Sequence, residues 1–152
     1  MGGYSRAWAT AGSFSDLARR QQDVLARPQL HALGVSRSRV RNEVRARRWR
    51  LAGRHAVILH RGPPSFLQRA WVALLNAGPR SALCGLTAAG LDGLVGFPSA
   101  EIHVLVPRGA DARPGPGVVI HQSRRFRPPD DLHPAHRPPR TRLPRSLVDA
   151  AI

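Results

Sequence analysis

The amino-acid sequence predicts an α+β protein, and three observations carry that reading. Helical patterns bounded by Ser, Pro and Gly occupy residues 15–46, 65–78 and 83–94. Runs rich in Val, Ile and Leu without helical period stand at 49–60, 101–107 and 117–123, each interrupted or flanked by Gly or Pro. A length of 152 residues allows one ordinary domain or two small ones, with a modest core.

Taken in order, Ser15 caps a first helix through DLARRQQDVLA, with Leu17, Val24 and Leu25 on one side. Arg27-Pro28 starts a second short helix, PQLHAL, with proline at a tolerated first-turn position. Gly34 ends it where a residue of positive φ is wanted, and Ser36 caps a third helix. Short helices separated by a Gly-containing turn of about three residues form the helix-turn-helix pattern. WRLAGRHAVILH, two apolar-rich runs about a Gly-Arg-His turn, then reads as a β-hairpin, which makes the pattern a winged helix-turn-helix over 15–62. Residues 1–14 read as a disordered N-terminus. The seam is HRGPPS, residues 60–65, because Gly-Pro-Pro stops a strand and Ser65 can cap the next helix.

The remainder, 63–152, reads as a small α/β domain. SFLQRAWVALLNAG places Phe66, Ala70, Ala73, Leu74 and Ala77 at helical spacing before Gly78-Pro79. LCGLTAAGLDGL is a close-packing helix rich in small residues, weakened by Gly90 and Gly93. EIHVLVP and GVVIHQS are neighbouring strands of a short antiparallel sheet. FRPPDDLHPAHRPPR is too rich in proline for a helix, and LPRSLVDAAI resumes one within which the sequence stops. No internal repeat is visible.

Charge narrows the function classes. Twenty-four basic residues, every one Arg, face nine acidic ones, a net charge of +15. Such a surface attracts polyanions. Residues 1–62 hold 13 of the arginines against Asp16, Asp23 and Glu43. The densest stretch, SRSRVRNEVRARRWR from Ser36 to Arg50, has seven arginines and one acid. At about 100° per residue, Val40 and Val44 share one helical face, while Ser38, Asn42 and Arg45 lie opposite with Arg39 and Arg41 flanking. Asn and Arg pair bidentately with adenine and guanine edges, so Ser38, Arg39, Arg41, Asn42 and Arg45 are the candidate base-reading residues. Arg37, Arg47, Arg48, Arg50 and Arg54 are the candidate phosphate contacts. Double-stranded DNA is the expected partner.

Catalysis is not expected. The one adjacent acidic pair, Asp130-Asp131, would need a further carboxylate for Mg²⁺ and a Lys to make a nuclease site, but the chain has no Lys and Asp149 is the only acid further on. Asp130-Asp131 therefore reads as a turn. His133 and His136 flank Pro134, and His103 and His121 stand on the expected strands; without a thiolate cluster they read as scattered histidines rather than zinc ligands. Cys84, alone, reads as a buried or capping residue with no general base near it. Trp8, Trp49 and Trp71 are too dispersed for a base-stacking platform, and Trp49 is expected to pack the wing on the helices. No metal and no cofactor are expected. The N-terminus has no apolar signal region and no stretch reaches the ~18 apolar residues of a spanning helix, so the expectation is a cytoplasmic chain without a membrane partner.

Two long stretches, LARRQQDVLARPQLHALGVSRSRVRNEVRARRWR and QRAWVALLNAGPRSALCGLTAAGLDGL, together with the later segments IHVLVP, GVVIHQSR and PPRTRLPRSLVDAA, carry a family likeness. They resemble the N-terminal region of the AbiEi-like antitoxins of type IV toxin–antitoxin systems, of the actinobacterial kind that often precedes a very-short-patch-repair-type endonuclease domain. The resemblance spans roughly residues 15–152 and includes no catalytic motif. It implies a winged-helix DNA-binding domain, a small α/β domain, transcriptional regulation and a nucleotidyltransferase-type toxin as partner. It equally admits the targeting half of such an endonuclease whose catalytic domain is missing from this chain. Where these proteins often carry Gly-Val-Tyr in the second wing strand, this chain has His55-Ala56-Val57.

Overall fold

The computed structural model describes residues 13–93, 100–126, 138–141 and 145. It is a mixed α+β structure that divides into two compact units, residues 1–79 and 80–152. The first unit runs α1 (Phe14–Arg20), β1 (Val24–Ala26), α2 (Arg27–Ala32), α3 (Arg37–Arg45), β2 (Arg50–Ala52), β3 (Ala56–Ile58) and α4 (Phe66–Ala77). Its three strands form one antiparallel sheet in the order β1-β3-β2.

The first helix departs from the expected one at both ends. Ser13, not Ser15, is its cap: the Ser13 hydroxyl accepts from the Asp16 amide and the Asp16 carboxylate reaches back to the Ser13 amide. The helix stops at Arg20, where Gln22 and Asp23 take left-handed φ of 58° and 62° and the Asp23 amide donates to Ala18 O at 2.7 Å. Val24, Leu25 and Ala26 are then strand. Their apolar run fits either a helix face or a buried strand, and pairing with Ile58, Val57 and Ala56 decides the matter. All three are fully buried.

The next elements form as expected. Pro28 lies in the first turn of α2, Gly34 has φ +85°, and the Ser36 hydroxyl caps α3 by accepting from the Arg39 amide at 3.1 Å. Gly53-Arg54-His55 turns β2 into β3. Leu17, Ala18, Leu25, Leu30, Val35, Trp49 and Val57 make the core of this region, with Phe14, Leu33, Val40, Val44 and Leu59 packed against it. Trp49 stacks on Phe14 at 6.2 Å, so it joins the post-α3 turn to α1.

The boundary falls after Pro79 rather than within 60–65. Helix α4 belongs to the first unit because it packs on β1 and β3 and buries Ala70, Trp71, Ala73, Leu74, Leu75 and Ala77. A Ser65/Gln68 capping box opens it, and the Gln68 side-chain amide also donates to Gln22 O at 2.9 Å. Phe66, expected in the buried stripe, is 39% exposed, with Arg69 over its ring.

The second unit holds β4 (Ala82–Leu83), α5 (Gly85–Leu91), β5 (Ile102–Pro107) and β6 (Val118–Ser123). Its sheet, in the order β4-β5-β6, is mixed: β4 pairs antiparallel with β5, but β6 is parallel to it, Ile102 opposite Val118. The expected antiparallel pairing of β5 with β6 is therefore corrected. A six-residue strand is about 20 Å long, while ten extended residues span up to about 33 Å, so loop 108–117 can return the chain to the start of β5 without a helix. Gly109 and Gly117, with φ of +87° and +71°, shape its two ends.

Thr87 fastens α5 to β5 by accepting from the His103 amide at 2.9 Å and donating to Glu101 O. Cys84 is buried at the N-cap of α5. Residues 138–141 run beside β4: Leu83 N donates to Pro139 O and Thr141 N to Leu83 O, each at 2.9 Å. There the Arg140 guanidinium meets Asp92 at 2.9 Å, both side chains below 10% exposure. Asp130, Asp131, His133, His136 and Trp8, and the C-terminal helix apart from helical Arg145, lie outside the described residues.

Candidate nucleic-acid interface

Helix α3 is the most basic element of the described chain, and its sequence dictates how it lies. Val40 and Val44, four residues apart, stack on one side and are half-buried against the core around Leu17, Leu25, Leu30 and Trp49. Arg37, Ser38, Arg39, Arg41, Asn42 and Arg45 are carried on the same helix, and all six are exposed, Arg45 in its last turn. The five candidate base-reading residues are thus held together on one nine-residue helix with its apolar side seated. An α-helix with its side chains is about 10–12 Å across, which matches a groove about 12 Å wide, and nine residues run about 14 Å along it.

The candidate phosphate contacts stand differently from one another. Arg47 is exposed and takes a left-handed φ of 62°, turning the chain out of α3. Arg48 folds back on α3: its Nε donates to Glu43 Oε2 at 2.6 Å, and its amide donates to Glu43 O. The hydrogen bond and charge of Arg48 hold the Glu43 carboxyl below its ordinary range, and Glu43 in turn raises Arg48. The single acid on this basic stretch is therefore matched by a neighbouring arginine. Arg50 is half-buried and donates to Gly62 O at 3.1 Å, tying β2 to the segment after β3. Arg54, exposed at the hairpin tip, directs its Nε at His55 Nε2, 3.1 Å away.

The hairpin itself is held by a residue the sequence did not single out. Asn76, near the end of α4, accepts from the His55 amide at 2.7 Å and the Ala56 amide at 3.0 Å, and donates to Ala52 O at 2.8 Å. Gly53, with φ +78°, lies so close that a Cβ there would meet the Asn76 amide nitrogen at 2.4 Å. Burial, then the charges of Arg54 and Arg27, push the His55 imidazole below its ordinary pKa. A neutral ring is the form that can accept from Arg54. An Asn-Ala-Gly helix end gives no sign of this in the sequence, because the partner amides are 20 residues away or more.

His103 and His121, expected to be scattered, meet on the neighbouring strands β5 and β6. His103 Nδ1 and His121 Nε2 are 2.9 Å apart with ring centres at 5.2 Å, so the nitrogens point at one another as in an N–H···N bond, not toward a shared third atom. Burial, then the charge of His121, lowers the His103 pKa. Among the described residues no three of His, Cys, Asp and Glu gather as they would to hold a metal ion. Nor, among those residues, is any helix long and apolar enough to cross a membrane.

The chain matches no protein-family model and no curated protein.

Proposed function

We propose that this chain is a duplex-DNA-binding regulator of the antitoxin type, and that its first unit works as a winged helix-turn-helix with α3 as the recognition helix. The observation that carries the reading is the two-sidedness of α3: Val40 and Val44 packed on the core, Ser38, Arg39, Arg41, Asn42 and Arg45 on the remainder of its surface. Solvated helix faces usually mix charge signs. Here the one acid, Glu43, is already paired with Arg48.

Three further features support it. The order α1-β1-α2-α3-β2-β3, with β1 and β2 flanking β3, supplies a hairpin directly after the recognition helix. Fourteen arginines against three acids in residues 1–79 leave a charge of +11, enough for several phosphate contacts. No lysine is available for a nuclease site of the carboxylate-and-lysine kind, in keeping with a regulator that binds DNA without cutting it. In this reading the second unit serves a protein partner, a nucleotidyltransferase-type toxin.

The test is equilibrium binding of the purified chain to duplexes of native upstream sequence and of random sequence, over a range of salt. The expected result is steep salt dependence on both, with tighter binding to one native site. Absence of duplex binding at low salt would overturn the proposal.

A further inference from the structure

Three elements converge at the hairpin tip. The Asn76 side chain on α4 bonds both backbone amides at the start of β3 and the carbonyl at the end of β2, using both acceptor directions of Oδ1 and one of its two donors. It thereby fixes the backbone of His55. The His55 ring lies 3.1 Å from the Nε of Arg54, the residue before it. A long, flexible arginine side chain loses rotamer entropy when it is fixed on a partner. A side chain already turned in one direction loses less of it on meeting a phosphate. Gly53 permits the close approach, since a larger residue would drive its Cβ into Asn76.

We propose that Asn76 and His55 are positioning residues for Arg54: Asn76 sets the hairpin tip, and the His55 ring turns the Arg54 guanidinium to meet a backbone phosphate of duplex DNA. The proposal rests on the DNA-binding reading above. Arg54 touches the phosphate; the other two act through it. Neither His55 nor Asn76 contacts the nucleic acid.

The experiment measures binding of the full chain to a random-sequence duplex by fluorescence anisotropy between low and moderate salt, for the parent, Arg54→Ala, His55→Ala, Asn76→Ala and the two double variants with Arg54→Ala. Loss of one phosphate contact reduces the slope of log K against log salt by about 1. Arg54→Ala is expected to show that reduction. His55→Ala, which keeps its backbone amide on Asn76, and Asn76→Ala are each expected to lower the slope in the same direction. Neither should lower it further once Arg54 is absent, because residues that act through one contact are not additive.

A folded His55→Ala with the parent slope would overturn the role of the ring. Should Asn76→Ala lose its fold, Asn76→Gln, a neutral amide one methylene longer that carries the acceptor away from the His55 and Ala56 amides, decides the role of Asn76, and a folded variant with the slope of the parent overturns it. A parent-like slope in Arg54→Ala, with the parent binding DNA, would overturn the whole proposal and leave the regulator reading standing. Failure of the parent to bind at any salt would instead remove that reading itself.

Discussion

Gln21 and Gln29 form a reciprocal amide pair inside the first unit: each side-chain nitrogen donates to the other's oxygen, at 3.0 and 2.9 Å. Both residues are buried, and each also serves the backbone, Gln21 donating to Val24 O and Gln29 accepting from the Ala26 amide. The pair joins the end of α1 to the start of α2 across β1. Removing one partner leaves a buried amide unsatisfied, at about 1–3 kcal/mol. Gln29→Ala and Gln21→Ala should each lower stability by that amount in urea unfolding. A pair of single variants with parental midpoints would mean that water enters and replaces the bonds.

In the second unit the buried Arg140–Asp92 pair makes a stronger demand. Both side chains are below 10% exposure, so taking away the guanidinium strands a carboxylate in a poorly solvated place. Arg140→Met is expected to destabilise the unit by about 3–5 kcal/mol, whereas changing Asp92 and Arg140 together to apolar residues should recover much of the loss. Thermal melts of the single and double variants beside the parent provide the comparison, and equal melting of single and double would contradict it.

The outward face of α3 separates two kinds of contact. Asn42→Ala and Arg45→Ala should each reduce binding to the preferred duplex by about 1–3 kcal/mol and flatten discrimination. Arg47→Ala should weaken all duplexes alike and reduce the salt slope by about 1. If all three variants, folded, bind selected and random DNA as the parent does, α3 is only a solvated surface.

Glu43 lends itself to a pH test. Its folded pKa lies below the ordinary value of 4.5 because Arg48 bonds it. A depressed pKa stabilises the fold above the unfolded value and ceases to do so as pH falls through the folded one. The pair should thus add nothing new to stability between about pH 5 and 8, and lose its small contribution in acid, below about 4.5. Glu43→Gln should abolish that part of the acid dependence and, by releasing Arg48, strengthen binding to every duplex. Arg48→Ala, which exposes the carboxylate, should weaken binding to all of them; the opposite order of the two variants would rule the pairing out as an electrostatic control.

Val44 tests the seat of the helix. It is half-buried against the core beneath α3, and Val44→Asp places a charge there, with a loss of about 3 kcal/mol or more. For a unit of this size that lowers the melting temperature by at least about 10 °C. Val44→Thr at the same position should fold with a much smaller loss, and a parental melt for Val44→Asp would show that this side of α3 is not packed in solution.

Much of the element order was legible because the signals are local. A capping serine whose hydroxyl accepts from an amide three residues on, a proline in a first turn, a glycine past a helix end and an apolar pair four apart each act within one turn of chain, and α2, α3, α4 and the β2–β3 hairpin form where those signals stand. The two faces of α3 were legible for the same reason: Val40 and Val44 are one turn apart whatever they pack against. The end of α1 was not. Val24-Leu25-Ala26 satisfies helix and strand alike, and only β3, far along the chain at Ala56–Ile58, offers the amides that make it a strand.

Composition and a helical period of about 3.6 residues settle the charge, its density over Ser36–Arg50, and the pair of valines that leaves the arginines of α3 facing outward. Tertiary structure alone decided which helix completes the first unit, that β6 runs parallel to β5, that Gln21 meets Gln29, and that Asn76 holds the hairpin tip. Each of those outcomes is a hydrogen-bonding or burial choice between groups 8 to 46 residues apart. Their energies are set by partners brought together only when the chain has folded, and no local pattern of apolar and polar residues encodes which partner that is.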